Sequence, residues 1–355
     1  MDKLKKTILL KVDPNEPDLR KIIVAANIIK KGGLVAFPTE TVYGLGANAL
    51  NSKAILSLFK AKNRPLDNPP IIHVENLKQI KHLAKEIPIK AYILIDKFWQ
   101  GPLTIVFQRS EETPKESTAG LDTIAIRMPQ HKVALALIKK SNCSIAAPSA
   151  NLSGKPSPTM AKHVFDDLNG KIDAILDGGP TGIGLESTVV NVTVDPPEIL
   201  RPGGISIEEI KKAIGNIKIH PFVIADKQLL LEKIRSPGMK HKHYAPKAKV
   251  ILVEGAVSSI VKKVAELSKQ YMLKELKVGI LATQETIKYY NTDVVKSLGS
   301  RFNLKVIAQN LFSLLREFDD ENVEIIIAEG IPCEGMGLAV MNRLRKAAAY
   351  NIVKT

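Results

Sequence analysis

The chain has 355 residues, with 51 lysines and arginines against 36 aspartates and glutamates, a surplus of 15 positive charges. That length exceeds what one hydrophobic core usually serves, which predicts two domains, and the basic surplus favours anionic partners such as nucleotides, nucleic acid or acidic membranes without choosing among them. Two distant cysteines, Cys143 and Cys333, exclude a disulfide framework or a zinc spacing and suit a reducing cytosol, and no apolar run approaches the about 18 residues of a membrane span.

The opening "MDKLKKTILLKVDP" places basic residues before an apolar stretch, but Lys11 and Asp13 break it short of signal-peptide length. From Asp18 to Lys31, Leu19, Ile22, Ile23, Ala26 and Ile29 recur at helical spacing, and Gly32 with Gly33 stops the pattern. "LVAFP" then reads as a buried strand, and "SKAILSLFKAK" as a helix capped by Asn51 or Ser52. Short strands are expected at "PIIHV", "LTIVF", "TIAIR", "SIAAP", "DAILD" and the alternating "STVVNVTV", separated by helices such as Lys90 to Trp99 and Lys132 to Lys140. Ser206 and Glu209 form a capping box for a further helix that closes around Gly215. The next thirty or so residues have mixed polarity, scattered prolines and little periodicity, and read as an interdomain linker. Beyond it the pattern becomes regular: strand "VILVEG", helix Val257 to Lys269, strands "KVGILA" and "LKVIA", a helix through Leu314, strand "VEIIIAEG" and a helix near Leu338 to Tyr350. The expectation is a mixed α/β first domain and a smaller parallel α/β second one: residues 1–218, a linker over 219–246, and residues 247–355.

Several stretches are able to carry chemistry. In "KNRPLDNPP", Lys62 and Arg64 stand two apart on a proline-rich segment where they point the same way and repel unless an anion lies between them. A polyphosphate suits a planar fork beside a point charge, and a solvated surface turn is the plain alternative. "APSANLSGKPSPT" follows a strand end, where open α/β sheets bind ligands. Ser149 and Asn151 are placed there to donate to phosphate, or to form an ordinary Ser/Asn turn. It is no Walker A loop, because Ser149 stands in for the first glycine and Pro156 follows Lys155. "YGLGANA", with Gly44, Gly46, Ala49 and a downstream Asp67, matches a dinucleotide-binding turn only loosely, since "PTET" separates it from the strand. Arg127 ends the apolar "LDTIAIRMP" and must find an anion. "GLESTVV" sets Glu186, Ser187 and Thr188 at a strand mouth, and Arg201 precedes a proline turn in "LRPGG". The seven histidines are scattered, so metal ligation has little support, and no Ser/His/Asp or Cys/His set emerges from spacing.

Together, "FPTETVYGLGANA", the K-x-R of "KNRPLDNPPIIH", "AIRMP", the S-x-N of "APSANLSGKPSPT", "GLESTVV", "LRPGG" and the linker "SPGMKHKHYAP" resemble the threonylcarbamoyl-AMP synthases in their long two-domain form, over almost the whole chain. The resemblance implies a YrdC-like domain with a mixed, twisted sheet, a Rossmann-like extension, and an enzyme of the cytoplasm. Such enzymes join L-threonine, bicarbonate or CO2, and ATP with magnesium into an adenylate and pyrophosphate, for a partner transferase complex that modifies tRNA. By carry-over, Lys62, Arg64, Asn68, Thr123, Ser149, Asn151, Ser157, Arg201, His243 and Tyr244 would hold ATP, with Lys62 and Arg64 countering charge on the leaving pyrophosphate. Thr41, His73, Arg127, Ala147 and Ser187 would hold threonine, with Arg127 on its carboxylate, while the linker would fold over the pocket. One departure stands out: the linker carries His241 and Lys242 where the family has tyrosine and arginine. A non-catalytic module binding double-stranded RNA or tRNA is the competing expectation, marked by steep salt dependence.

Overall fold

The computed structural model describes residues 6–227 and 244–355, so His241, Lys242 and His243 lie outside the described residues. Two compact units emerge, residues 6–153 with 157–223, and residues 154–156 with 224–227 and 244–355.

In the first unit, helix α1 (Leu19–Lys30) begins where the Asp18 carboxylate accepts from Arg20 N at 2.9 Å. It buries Ile22, Ala25, Ala26 and Ile29, residues three or four apart and therefore on one face. That face packs with Val133, Leu137 and Ile138 of the helix Lys132–Ser141 against Val35, Phe37, Ala174 and Leu176 of the sheet. Helix α2 (Ser52–Lys62) is capped by Asn51, whose side chain accepts from Ala54 N at 3.1 Å.

The sheet is built from β1 (Ile8–Lys11), β2 (Val35–Phe37), β3 (Gly44–Asn48), β4 (Ile72–His73), β5 (Leu103–Gln108), β6 (Thr123–Arg127), β7 (Ile145–Ala146), β8 (Ala174–Asp177), β9 (Thr188–Asn191), β10 (Glu198–Arg201) and β11 (Lys218–Ile219). Their order is β1-β8-β2-β3-β7-β4-β6-β5-β9-β10-β11. Parallel and antiparallel pairs both occur, as expected of a mixed sheet: β4 runs parallel to β6 but antiparallel to β7. The glycines of "YGLGANA" therefore form no dinucleotide turn. They lie in β3, antiparallel to β2, where a Cβ on Gly46 would come within 2.9 Å of the Phe37 ring. Close strand packing, and not phosphate, is what excludes a side chain there.

The second unit is a parallel sheet of β12 (Lys249–Glu254), β13 (Val278–Ala282), β14 (Val294–Ser297), β15 (Ile325–Glu329) and β16 (Ile352–Lys354), in the order β14-β13-β15-β12-β16. The stretch expected as a strand, "LKVIA", instead opens the helix Leu304–Asp320. Asn303 caps that helix, and Ile307, Ala308, Leu311, Phe312, Leu315 and Phe318 bury a face whose period becomes evident only beyond the five residues of the quoted run. The chain runs from β12 out to β14, then returns past β13 to β15 and on to β16, so the switch in direction falls between β13 and β15. There Glu329 is fully buried and accepts from Thr283 N and Oγ1, both at 3.0 Å, from Thr286 Oγ1 at 2.8 Å and from the Tyr290 hydroxyl. Arg301 Nη2 completes the network at 3.2 Å.

Candidate functional site

Lys62 is the last residue of α2, and Asn63 follows it in the left-handed conformation at φ 51°. The two cations are thus not side by side on an extended chain, as the sequence suggested: a helix end and a left-handed residue separate them, and each takes its own set of carbonyls. Lys62, 1 % exposed, aims its ammonium into the loop after β7 and donates to the carbonyls of Ser149 and Asn151, while its own carbonyl accepts from Ser153 N at 2.9 Å. Arg64 folds over its own turn, with Nε donating to Asn68 O at 2.9 Å and Nη2 to Pro69 O at 3.0 Å. Its guanidinium carbon lies 5.9 Å from the centre of the Phe59 ring. Asn68 is buried there, and its Oδ1 makes no hydrogen bond among the described residues.

The loop that Lys62 grips is fixed at both ends. Ala147 N donates to Ile71 O at 2.8 Å, Ala150 N to Tyr43 O at 2.8 Å, and Ser149 Oγ to Asn151 Oδ1 at 2.6 Å. Farther along, Ser157 Oγ donates to Glu186 Oε1 at 2.6 Å, which ties this loop to the residue before Ser187.

Strand register assembles the other half. His73 of β4 stands opposite Arg127 of β6, Arg127 opposite Thr104 of β5, Thr104 opposite Val189 of β9, and Val189 opposite Arg201 of β10. Directly opposed residues share a face, so two arginines, a histidine and a threonine form one row across the sheet. Arg127 Nη1 donates to Thr41 Oγ1 at 2.8 Å and Nε to Gly101 O at 3.2 Å. Its Nη2 lies 2.6 Å from Glu40 Oε1, an ion pair set off the hydrogen-bonding direction, since neither atom makes a directed hydrogen bond. Arg201 donates from Nε to Ser187 O at 3.0 Å and from Nη2 to Ser187 Oγ at 3.1 Å, and Ser187 Oγ shares a hydrogen bond of 2.7 Å with Thr104 Oγ1.

Of the residues singled out in the sequence, Lys62 gathers with Ser149 and Asn151, and Arg64 with Asn68, while His73, Arg127 and Arg201 stand in the row, with Thr41 bonded to Arg127 and Ser187 to Arg201. Arg201, expected beside the nucleotide, bonds to Ser187, expected beside threonine. Thr123 opens β6, four residues before Arg127 and therefore about 13 Å away along the strand. Tyr244 is buried in the second unit, stacked on Phe312 at 5.2 Å with the Arg343 guanidinium 5.8 Å from its ring centre. Glu40 and Thr104 were missed. The signal for Thr104 is a hydroxyl inside the otherwise apolar "LTIVF", and for Glu40 an acid between two threonines in "PTET".

Burial and the neighbouring Arg127 charge push His73 down to about 3, so its ring stays neutral. The folded state then refuses a proton that the unfolded chain accepts below about 6.5, and stability falls as pH drops through the window from about 6.5 to about 3. The contribution of this histidine is about 1.4 kcal/mol per pH unit. In urea titrations between pH 7 and pH 5, a His73→Gln variant is expected to show a shallower loss of stability than the unmodified protein; an identical slope in both would contradict this.

The family described as "Telomere recombination" matches residues 27–203, and that described as "Threonylcarbamoyl-AMP synthase, C-terminal domain" matches residues 205–349. The chain is 52 % identical over 334 residues to the threonylcarbamoyl-AMP synthase of Pyrococcus abyssi, covering 94 % of this chain and 96 % of that protein. It is 47 % identical over 341 residues to the threonylcarbamoyl-AMP synthase of Bacillus subtilis, covering 96 % and 95 %. The crystal structure of P. abyssi Sua5 complexed with L-threonine superposes with a TM-score of 0.93 at 50 % identity, over 98 % of this chain and 100 % of that one. With relatives this similar along both units, the chain belongs to the threonylcarbamoyl-AMP synthase family in its long, two-domain form.

Proposed function

We propose that the protein is an ATP-dependent threonylcarbamoyl-AMP synthase, which joins L-threonine, bicarbonate or CO2, and ATP into L-threonylcarbamoyladenylate and releases pyrophosphate. The observation that carries this reading is the clamp of Lys62 on the Ser149–Asn151 loop beside a row holding Arg127 and Arg201, in a chain about half identical to synthases along its whole length. A triphosphate, a carboxylate and a carbamate crowd one cavity in this reaction, and converging cations stabilise that charge where water is excluded.

In this reading Lys62 and Arg64 counter the charge that gathers on the departing pyrophosphate, with Asn68, Thr123, Ser149, Asn151, Ser157, Arg201, His243 and Tyr244 around the nucleotide. Threonine lies against Thr41, His73, Arg127, Ala147 and Ser187, its carboxylate on Arg127. His73 stays neutral and so adds no cation to compete with that arginine. The donor set is one of cations, hydroxyls and amides, which suits a magnesium ion held by phosphate oxygens and water rather than by a protein cage. Such an ion would neutralise phosphate charge. The threonine nitrogen attacks carbon, the resulting carbamate oxygen attacks the α-phosphorus, and pyrophosphate leaves.

The same proposal divides the chain into a catalytic domain over 1–218, a linker over 219–246 and a C-terminal domain over 247–355. It places the protein in the cytoplasm, where a threonylcarbamoyl transferase complex consumes the adenylate to modify an adenosine next to the anticodon of tRNA. A weak contact with tRNA accords with the 15 surplus positive charges. Among the described residues no helix is long and apolar enough to cross a membrane. A non-catalytic RNA-binding role is not favoured by relatives named as synthases.

The test incubates purified protein with ATP, threonine and bicarbonate, and follows pyrophosphate together with the adenylate by mass spectrometry. Release that depends on both threonine and bicarbonate is expected. Release indifferent to either one sinks the proposal.

A further inference from the structure

Among the described residues, the buried carboxylates Glu186 and Glu329 accept directed hydrogen bonds, Glu186 from Ser157 and Glu329 from two threonines and a tyrosine. Glu40 is different. Its side chain is only 12 % exposed, yet neither carboxylate oxygen makes a directed hydrogen bond among the described residues. What stands beside it is Arg127 Nη2 at 2.6 Å.

Arg127 does not need Glu40 to stay in place, because Thr41 Oγ1 and Gly101 O already hold Nη1 and Nε. The Nη2 corner is therefore the exchangeable one. An arginine and a glutamate sealed from water gain little from each other after desolvation, and removing either one alone leaves a buried charge uncompensated. An α-amino acid resolves that conflict. It carries a carboxylate and an ammonium on one carbon, so the first can take Nη2 while the second takes Glu40, and no charge is left bare.

We propose that Glu40 is a catalytic residue of the threonine half-reaction: it yields Arg127 to the carboxylate of the substrate, receives the α-ammonium in exchange, and removes the proton that nitrogen must lose before it can attack CO2. This deepens the synthase reading and rests on it. The N–H bond breaks and its proton passes to Glu40. The freed lone pair forms the C–N bond, one C–O π pair moves onto oxygen, and the second nitrogen proton passes to water, leaving the carbamate. Where bicarbonate supplies the carbon, the proton on Glu40 departs with the bicarbonate hydroxide as water; otherwise it returns to solvent. A buried carboxylate that has given up its counter-ion gains by accepting a proton, so the substrate itself switches the base on.

Among the described residues, the titratable groups beside this pair are His131, which interacts with Glu40, and His73, which interacts with Arg127. Burial lowers His131, and Glu40 works in the opposite direction on it. His131 caps the helix Lys132–Ser141 through Nδ1, which accepts from Val133 N at 3.3 Å.

Glu40→Gln keeps an oxygen for Arg127 and removes the base. With the full-length protein, kcat at pH 7 is expected to fall by about 10²–10⁴-fold. That loss should shrink about tenfold per pH unit as pH rises, because solvent then supplies the free amine. His131→Asn should keep the unmodified pH profile, which separates Glu40 from its titratable neighbour. Glu40→Asp, with a shorter carboxylate, should be slow but keep the unmodified pH dependence, and it serves if the glutamine variant does not fold. Unmodified kcat in Glu40→Gln, or a loss equal at every pH, overturns the proposal. If the unmodified protein itself fails to release pyrophosphate in response to threonine, the synthase reading is what has failed.

Discussion

Lys62→Ala and Arg64→Ala are each expected to lower kcat/KM for ATP by about 10²–10³, or about 3–4 kcal/mol of transition-state stabilisation. Each removes a cation that acts in two ways. The Lys62 ammonium draws the carbonyls of Ser149 and Asn151 together, so its loss slackens the loop as well as removing the positive charge that the proposed function sets against phosphate. Arg64 pins the Asn68 and Pro69 carbonyls, and without it the turn that presents Asn68 is no longer fixed. Exchange of Lys62 for arginine should not restore activity, because a planar fork cannot replace a compact ammonium between two carbonyls in a site 1 % exposed. Steady-state kinetics across ATP concentrations checks this. Turnover within a few-fold of normal in both alanine variants would remove the pair from the chemistry.

Glu329→Ala is expected to destabilise the second unit by about 3–5 kcal/mol, since it strips the acceptor from Thr283, Thr286 and Tyr290 and leaves Arg301 with its charge uncompensated. The protein has a single tryptophan, Trp99, and it belongs to the first unit. Tryptophan fluorescence therefore follows that unit, whereas far-ultraviolet circular dichroism follows both. In urea, the variant should show an early transition by circular dichroism while the fluorescence transition stays near its original midpoint. Coincident and unchanged transitions would mean that the network contributes little. Because two units are present, the two signals must be fitted separately.

Much of this architecture is legible in the sequence. The capping box at Ser206 and Glu209, the Asn51 cap and the face of α1 depend on neighbours within a turn or two, which is the range over which sequence periodicity speaks. "LKVIA" misled because five apolar-rich residues fit a strand or a helix, and only Leu311, Phe312, Leu315 and Phe318 farther along decide for the helix. The second threonine of "PTET" was picked out, but the acid before it was not, because Glu40 acquires meaning only when β6 delivers Arg127 to it across 87 residues of sequence. The register that aligns His73, Arg127, Thr104 and Arg201 is likewise non-local. The linear motifs named most of the polar side chains of the site. Which of them bond to which, as in Arg201 with Ser187, is set by strand order alone.

The most direct test of the account is where the triphosphate binds. A crystal structure of the full-length protein with a non-hydrolysable ATP analogue, magnesium and threonine should show phosphate oxygens within hydrogen-bonding distance of Lys62, Arg64 and the Ser149–Asn151 loop, and the threonine carboxylate on Arg127. An analogue seated elsewhere, with those side chains still bonded to their own carbonyls, would contradict it.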